Sequence, residues 1–287
     1  MVGCHGRRER ARAEDRGADV NTLAQRGAAL LGGTLRRGEE LGGGSLSRLA
    51  RITLDDGREA IVKTGPSPET EAAMLRAIRA AGAPAPKVLA ADGDVLVLEV
   101  LPNDGGLGGA WPDLGSVLAR LHAAKKEGYG WTADYAFGPV AIVNRASDAW
   151  PQFWSDNRLL VNVPYVGTGL ARRLERLCAD LANRLPRHPA PSLLHGDLWG
   201  GNVLVSGRNV SGLIDPASYY GHGEVDIAML MMFDHPPAAF FSAYGPLPPG
   251  HDERLAIYRL WPALVHLRLF GSGYRPMVER LLSDLGV

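Results

Sequence analysis

The sequence lacks long apolar runs, cysteine motifs and an excess of charge of either sign. A membrane-spanning helix needs about 20 consecutive apolar residues, and no run approaches that length. The two cysteines, Cys4 and Cys178, fit neither a zinc site nor a disulfide framework, which favours a reducing cytoplasm. Lysine plus arginine equals aspartate plus glutamate at 31 each, which argues against nucleic acid or a membrane as the partner. We therefore expect a cytoplasmic protein that binds a small molecule. Its oligomeric state stays open, with a monomer as the default.

What the sequence does contain is a change of pattern along its length. Residues 1–19 are polar and without apolar periodicity, which predicts a disordered leader. Residues 20–101 show period-two apolar patterns, glycine turns and one inserted helix over Glu69–Gly82, which predicts a small antiparallel sheet. Residues 102–287 are mainly helical in pattern, and short strands interrupt them at residues 193–194, 203–205 and 212–214. The predicted fold class is α+β, with a small β lobe carrying one key helix before a larger helical lobe.

A short loop in the second lobe carries the clearest chemical signal. Asp197 follows a predicted strand in "LLHGDLWGGNVLV", and Asn202 comes five residues later. This spacing is typical of a phosphoryl-transfer loop, in which the aspartate accepts a proton from the attacking hydroxyl and the asparagine binds Mg²⁺. Asp215, thirteen residues after Asn202, follows another short strand and is the second predicted metal ligand. Oxygen ligands suit magnesium, which neutralises the charge of the phosphates.

The first lobe has matching candidates for binding ATP. Lys63 ends the predicted strand "EAIVK" and is placed to contact the α- and β-phosphates. Glu71, early in the next helix, is its predicted partner, and Glu69 stays open as the alternative. Backbone amides of a glycine-rich turn approach phosphates closely, and the predicted contacts are Gly43, Gly44 and Ser45. Each signal alone is weak, but their order along the chain predicts an ATP-dependent phosphotransferase.

Together these residues resemble the fructosamine and ketosamine kinases, which are relatives of the aminoglycoside phosphotransferases and choline kinases. The resemblance runs from about Thr22 to the C-terminus, and "HGDLWGGN" and "DPASYYGHGEVDIAM" carry it most clearly. Trp199, two residues after Asp197, is the sharpest discriminator of the ketosamine kinases. The segment that begins at Asp234, "DHPPAAFF", matches the family only loosely.

The resemblance implies a protein-kinase-like fold with two lobes. It makes residues 20–101 a nucleotide-binding lobe and residues 102–287 a catalytic and substrate-binding lobe. It further implies that ATP and Mg²⁺ are used to phosphorylate a sugar hydroxyl of a ketosamine, usually the 3-hydroxyl, in deglycation repair. Ribulosamine, erythrulosamine and fructosamine all stay open as the acceptor, either free or attached to a protein.

Further roles are carried over by position. The hinge that hydrogen-bonds adenine through its backbone is assigned to Glu99, Val100 and Leu101. Trp199 and His195 are assigned to the acceptor side, where an aromatic ring can stack on the C–H faces of a sugar. Core packing stays open as the alternative for both residues.

Residues outside the central motifs receive structural or open assignments. His222 and Glu224 are interpreted as positioning their own loop, and Asp226 as anchoring the catalytic loop. Trp150 and Arg158 are further candidates for the acceptor side, against the alternatives of a core aromatic and a surface arginine.

Two other functions compete with the ketosamine kinase. A kinase for aminoglycosides, which are polycations, should gather several carboxylates, and the candidates are spread along the second lobe as Asp134, Asp148, Asp156 and Asp234. A choline-type kinase belongs to the same alternative. A catalytically dead binding module would have lost the base, the metal ligands or the lysine, and all of them are present.

Overall fold

The computed structural model describes three stretches of the chain, residues 21–42, 47–65 and 67–287. The chain divides into two compact units. The first holds the described residues up to Ala73 together with Pro86–Leu101, and the second holds Met74–Ala85 together with Pro102–Val287. The division falls inside one helix, α2 (Pro68–Ala80), which therefore belongs partly to each unit. The predicted leader lies outside the described residues.

The first unit is built on a five-stranded antiparallel sheet in the order β1–β2–β3–β5–β4. Its strands are β1 (Leu35–Leu41), β2 (Leu49–Leu54), β3 (Glu59–Thr64), β4 (Val88–Asp92) and β5 (Val95–Leu98). Helix α1, over residues 21–30, precedes the sheet, and α2 is inserted between β3 and β4. Gly57 and Gly93 turn the two hairpins with positive φ angles of 84° and 59°, as their Asp-Gly pairs predict.

The core of the first unit follows from strand alternation. β2 buries every second residue, Ala50, Ile52 and Leu54, which is the period-two pattern of a half-buried strand. Helix α1 covers the same core with Leu23 and Ala24. Gly27 lets this helix lie close to the sheet, because a Cβ at this position would overlap the side chain of Val62.

The second unit is mainly helical, as predicted. Its helices are α3 (Leu107–Ala123), α4 (Trp150–Trp154), α5 (Thr168–Arg184), α6 (Glu224–Phe233), α7 (Ala238–Tyr244), α8 (His251–Phe270) and α9 (Arg275–Asp284). Helix α4 continues as a π-helical turn over Ser155–Leu159 and then as a 3₁₀ helix over Leu160–Tyr165. Short 3₁₀ turns also occur at Gly200–Asn202 and Ser272–Tyr274. The predicted α+β class is confirmed.

Three short two-stranded antiparallel sheets lie between these helices. They are β6 (Tyr135–Phe137) with β7 (Val140–Ile142), β8 (Ser192–Leu193) with β11 (Tyr220–Gly221), and β9 (Val203–Ser206) with β10 (Asn209–Leu213). The sequence indicated β8, β9 and β10, but it gave no signal for β6–β7 because each strand has only three residues. Helix α3 begins at Leu107, and its first turns carry glycines and Pro112, which give no helical signal in the sequence.

Among the described residues, no helix is long and apolar enough to cross a bilayer. The longest one, α8, spans His251–Phe270 and includes charged residues in its first and last turns.

Candidate active site

The catalytic loop (residues 195–202) joins β8 to β9 in the second unit. Asn202 closes this loop, because its Nδ2 group donates to the backbone carbonyl oxygen of Asp197 at 2.8 Å and to the carboxylate Oδ2 of Asp197 at 3.1 Å. The carbonyl oxygen of Asn202 accepts a hydrogen bond from the N–H of Ile214 at 3.0 Å. Ile214 directly precedes Asp215. This hydrogen bond therefore brings Asp215 near to Asp197 and Asn202, the other two residues that the spacing predicts.

His195 is enclosed within the protein, which corrects its predicted assignment to the acceptor side. Its ring is fully buried, and Nε2 donates to the carbonyl oxygen of Ile214 at 2.9 Å. Nδ1 accepts from the N–H of Asp197 at 3.3 Å, so both ring nitrogens are engaged. Burial lowers the pKa of His195, which keeps the ring neutral as this donor–acceptor pattern requires. His195 therefore positions the backbone of Asp197 and ties it to the strand end before Asp215.

The carboxylate of Asp226, on α6, holds the start of the catalytic loop. Asp226 is fully buried, and its two oxygens accept the N–H groups of His195 at 2.7 Å and Gly196 at 2.9 Å. His122 of α3 donates from Nε2 to the same carboxylate at 3.1 Å, while its Nδ1 accepts from the hydroxyl of Tyr244 at 2.8 Å. This arrangement agrees with the predicted anchoring role of Asp226.

Gly196 is required at its position by both conformation and space. Its φ of 83° lies in the left-handed region, which side chains with a Cβ rarely adopt. A Cβ here would also overlap the carbonyl oxygen of Ala217. The close approach is sealed by a hydrogen bond of 2.9 Å from the N–H of Ala217 to the carbonyl oxygen of His195.

The carboxyl of Asp197 has a pKa well above its ordinary value. Burial raises the pKa of its carboxyl to about 7, and the charges of Asp215 and Asp226 act in the same direction, while the hydrogen bond from Asn202 opposes them. A base is most effective when its pKa lies near the working pH, because it then combines basicity with a deprotonated state.

The donor set around Asp197 suits magnesium. Because the Nδ2 group of Asn202 is used by Asp197, its Oδ1 atom is the atom of this side chain that could hold a metal ion. Asp215 is the one described residue other than glycine with a positive φ, 52°, a strained conformation that is typical of functional sites. Among the described residues there is no cluster of three or more His, Cys, Asp or Glu side chains that could hold a metal. Magnesium bound with a nucleotide needs only one or two protein ligands, since phosphates and water supply the rest.

The first unit contains the predicted lysine–glutamate pair. Lys63 Nζ lies 2.8 Å from Glu71 Oε1, and the two side chains are only 5% and 2% exposed. Glu71, not Glu69, is therefore the partner that the structure places at Lys63. An ion pair this well buried fixes the direction of the lysine side chain. Gly43, Gly44 and Ser45 lie outside the described residues.

The proposed hinge residues follow β5 at the end of the first unit. The N–H of Glu99 donates to the carbonyl oxygen of Lys87 at 2.9 Å, and Glu99 Oε2 accepts the N–H of Lys87 at 3.0 Å. Within the described parts of the chain, the N–H groups of Val100 and Leu101 donate to no other residue. Glu99 is thus fixed, while the next two backbone donors are available to a ligand.

Trp199 is exposed rather than packed in the core. Its side chain is 43% exposed, and its ring lies edge-on to Phe233 at 6.3 Å between centroids. Phe233 in turn contacts the ring of His266 at 5.1 Å. The sequence gave no signal for Phe233 or His266, because they look like ordinary members of apolar helices. The three rings form an aromatic surface that begins two residues after Asp197.

Comparison with known proteins decides the family. A sequence model described as "Fructosamine kinase" matches residues 25–286, which is nearly the whole chain. The chain belongs to the fructosamine kinase family. The predicted resemblance is therefore confirmed, and it covers the catalytic loop together with both metal-ligand candidates.

Two relatives of this family member show which proteins it is similar to in sequence. A "Probable ketoamine kinase" of Synechocystis sp. is 37% identical over 203 residues, which cover 66% of this chain and 66% of the relative. "Protein-ribulosamine 3-kinase, chloroplastic" of Arabidopsis thaliana is 32% identical over 203 residues, covering 67% of this chain and 62% of the relative. The matched parts thus span just under two thirds of the length of these relatives.

Solved structures confirm the protein-kinase-like fold of this fructosamine kinase family member. A candidate fructosamine-3-kinase from Thermobifida fusca aligns with a TM-score of 0.84 at 30% identity, covering 93% of this chain and 99% of that chain. A macrolide 2'-phosphotransferase from Brachybacterium faecium aligns with a TM-score of 0.61 at 18% identity, covering 92% and 98%. At that identity the second likeness shows the fold alone.

Arg158 of this family member is a core residue, so the surface alternative for it is wrong. The side chain is fully buried and donates to the carbonyl oxygen of Val143 and to Oδ1 of Asn144, the latter at 2.8 Å. Its guanidinium lies over the ring of Tyr219, 4.1 Å from the centroid. Burial lowers the pKa of Arg158. These contacts place Arg158 against the segment that follows β7 and against Tyr219.

Trp150 and His222 belong to one buried polar network, which gives both a structural role. Trp150 Nε1 donates to the hydroxyl oxygen of Tyr258 at 2.8 Å, so Tyr258 can direct its own proton to Nδ1 of His222, also at 2.8 Å. Glu224 is held nearby by two hydrogen bonds of 2.6 and 2.7 Å from Arg254. His222 therefore has to stay neutral, because a proton on Nδ1 would oppose the proton of Tyr258.

This network predicts a loss of stability in mild acid. Burial lowers the pKa of His222 from 6.5 to about 4. As the pH falls, the unfolded chain binds this proton first, so stability is fully present above about pH 6.5 and is lost down to about pH 4. We expect His222→Gln, which cannot titrate, to remove about 3 kcal/mol of the decrease in free energy of unfolding across that window.

Urea unfolding at pH 7 and pH 4.5 measures this effect. His188→Gln is the matched control, because His188 is exposed and makes one backbone contact. It should leave the pH dependence of the wild type unchanged. Equal pH dependence in the wild type and His222→Gln would show that His222 is not the group that titrates.

Proposed function

We propose that this protein transfers the γ-phosphoryl group of ATP to the 3-hydroxyl of a ketosamine. The observation that carries the proposal is the carboxylate of Asp197, held by Asn202 at 3.1 Å and with a pKa raised to about 7. The names ketoamine kinase and ribulosamine 3-kinase among the relatives support the acceptor class. The sugar itself, ribulosamine, erythrulosamine or fructosamine, is left to the experiment below.

Asp197 acts on the attacking hydroxyl in this proposal. Its carboxylate orients the sugar O–H and accepts the proton as the oxygen forms a bond to the γ-phosphorus. The bond between that phosphorus and the bridging oxygen breaks, and ADP leaves. His195 and Asp226 contribute by fixing the backbone on which Asp197 sits.

Residues of the first unit bind the nucleotide. Lys63 contacts the α- and β-phosphates, and its buried pair with Glu71 keeps the ammonium group in one direction. The free N–H groups of Val100 and Leu101, next to the fixed Glu99, hydrogen-bond the adenine ring. Gly43, Gly44 and Ser45 complete this binding site through their backbone amides.

Asn202 and Asp215 hold Mg²⁺, which supplies charge neutralisation to the phosphates when it is bound. We expect Asp215→Asn to weaken the binding of MgATP at least about tenfold, because a carboxylate ligand is lost. Binding of ATP without magnesium should change little. Asparagine is preferred to alanine here, since the φ of 52° at this position suits Asn better than other residues with a Cβ.

Calorimetric titration with ATP, with and without magnesium, measures this effect. Asp252→Asn serves as the control, because that side chain is 98% exposed at the start of α8. Unchanged MgATP affinity in Asp215→Asn would remove Asp215 from the metal site.

An ATP-consumption assay with magnesium tests the acceptor. The panel contains ribuloselysine, fructoselysine, kanamycin, choline and a blank without acceptor. Turnover with the ketosamines alone would support the proposal, and their ratio would identify the preferred sugar. Turnover only with kanamycin or choline would agree with kinase chemistry but would contradict the proposed acceptor class. No turnover with any acceptor, while MgATP still binds, would favour a binding module. We also propose that the protein acts in the cytoplasm as a monomer. Gel filtration measures its oligomeric state.

A further inference from the structure

The end of helix α6 carries a carboxylate that the catalytic chemistry does not use. Asp234 directly follows α6, and its N–H donates to the carbonyl oxygen of Leu230 at 2.9 Å, which makes it the C-cap. Its Oδ2 atom accepts the N–H of Gly200, in the catalytic loop, at 2.7 Å. Of the four carboxylates considered above, Asp234 is the one with a hydrogen bond to the catalytic loop in the described part of the chain.

Gly200 allows this carboxylate to come close to the loop. A Cβ at Gly200 would lie 2.7 Å from Oδ1 of Asp234, so any side chain there would push the carboxylate away. Gly200 is three residues after Asp197, which limits the separation of their Cα atoms to about 11 Å. Asp234 therefore lies in the immediate surroundings of the catalytic base.

The charge of Asp234 has no cationic partner among the residues that the structure describes. No ion pair to Asp234 occurs among the residues that the structure describes, and the last turn of α6 contains no basic residue. A helix C-terminus carries a partial negative charge, so a carboxylate at this position adds to a field of the same sign. Such a location favours a cation that comes from outside the chain.

Aromatic rings next to Asp234 favour the same kind of ligand. Phe233 is the preceding residue, and the ring of Trp199 meets it edge-on. Trp199 is 43% exposed, so part of its ring is open to a ligand. The electron-rich face of an aromatic ring attracts ammonium groups, most strongly for tryptophan. A helix C-terminus, a carboxylate without an ion pair among the described residues and one exposed aromatic ring thus meet at the catalytic loop.

We propose that Asp234, together with the ring of Trp199, binds the protonated secondary amine of the ketosamine and so selects amine-bearing sugars over neutral ones. This inference rests on the proposed function. In a ketosamine the nitrogen is four bonds from the oxygen of the 3-hydroxyl, a span of about 5 Å at most at ordinary bond lengths. With hydrogen bonds of about 2.8 Å at each end, such an acceptor bridges two carboxylates up to about 10 Å apart, a range that the short chain distance between Asp197 and Gly200 allows. Asp234 is a specificity-determining residue, and Asp197 remains the base.

The test compares charged and neutral acceptors in the Asp234→Asn variant. Asparagine can still accept the N–H of Gly200 but carries no charge. We expect KM for the ketosamine to rise about 10- to 100-fold with little change in kcat, because a charged hydrogen bond to the substrate is lost. The neutral analogue, the same ketose with an ether oxygen in place of the amine, should show equal KM values in the variant and the wild type. The wild-type KM for the amine should rise with salt, and that of the variant should not.

Asp252→Asn is the matched control. It removes the charge of an exposed aspartate that lies outside the catalytic loop and outside the end of α6. An equal rise in KM for the amine and the ether in Asp234→Asn would mean that Asp234 only supports Gly200, and the proposal would fail. Unchanged KM for the amine would also overturn it. If the wild type turned over no ketosamine at all, the proposed function itself would be refuted. The other outcomes bear on Asp234 alone and leave the proposed function intact.

Discussion

Replacing Asp197 with asparagine is expected to lower kcat by about 10²- to 10⁴-fold, the usual contribution of a positioned general base. The amide cannot accept the proton of the attacking hydroxyl. It can, however, keep the hydrogen bond that Asn202 now donates to Oδ2 at 3.1 Å, so the loop should retain its shape. Because the base acts only in the transfer step, the affinity for MgATP should stay within a small factor of the wild-type value.

Single-turnover kinetics with the preferred ketosamine, together with calorimetric binding of MgATP, measure both expectations. Asp180→Asn provides a control, because Asp180 is a half-exposed aspartate on α5. Near-normal kcat in Asp197→Asn would exclude Asp197 as the base. Loss of MgATP binding together with kcat would instead assign Asp197 to holding the nucleotide, contrary to the proposed division of roles.

Replacing Asp226 with asparagine is expected to destabilise the fold by about 3 kcal/mol and to reduce turnover strongly. The carboxylate accepts three hydrogen bonds, from the N–H groups of His195 and Gly196 and from Nε2 of His122. An asparagine amide has only one oxygen that can accept these hydrogen bonds. Its NH₂ group would therefore face one of the three donors at a buried position, where water cannot act as the acceptor instead. The start of the catalytic loop would then shift, and Asp197 would move with it.

Urea unfolding at pH 7 gives the change in free energy of unfolding, and the same preparation gives kcat. Asp180→Asn is again the control, and a substitution at such a surface position should change stability by no more than about 0.5 kcal/mol. Wild-type stability in Asp226→Asn would show that the loop does not depend on this carboxylate. Lost stability with normal kcat would show that the loop keeps its geometry without it.

The first unit could be predicted in most of its elements because its information is local. Asp-Gly pairs set the two hairpin turns, period-two patterns set the strands, and Gly82, with a φ of 80°, ends the inserted helix region. The elements that escaped prediction were too short or carried helix-breaking residues. Three-residue strands contain too little pattern, and Pro112 lies inside α3 although proline normally ends a helix.

The candidate site, too, could be predicted only where its information is local in the sequence. The spacing of Asp197 and Asn202 is a property of one short loop, so it could be found from the sequence. The environment of His195 could not, because Asp226 and Ile214 reach it from 31 and 19 residues away along the chain. Nothing in the sequence distinguishes a histidine that touches an acceptor from one enclosed on all sides.

By itself, the sequence determined the family, the α+β class and the residue types of the phosphoryl-transfer chemistry, because these depend on order and local spacing. Only the tertiary structure decided which side chains are exposed and which are enclosed. It buried His195 and Arg158, and it exposed Trp199 beside Asp234. The physical reason is that burial and hydrogen bonding depend on packing between segments distant in sequence, and such packing sets both the pKa of Asp197 and the free charge of Asp234.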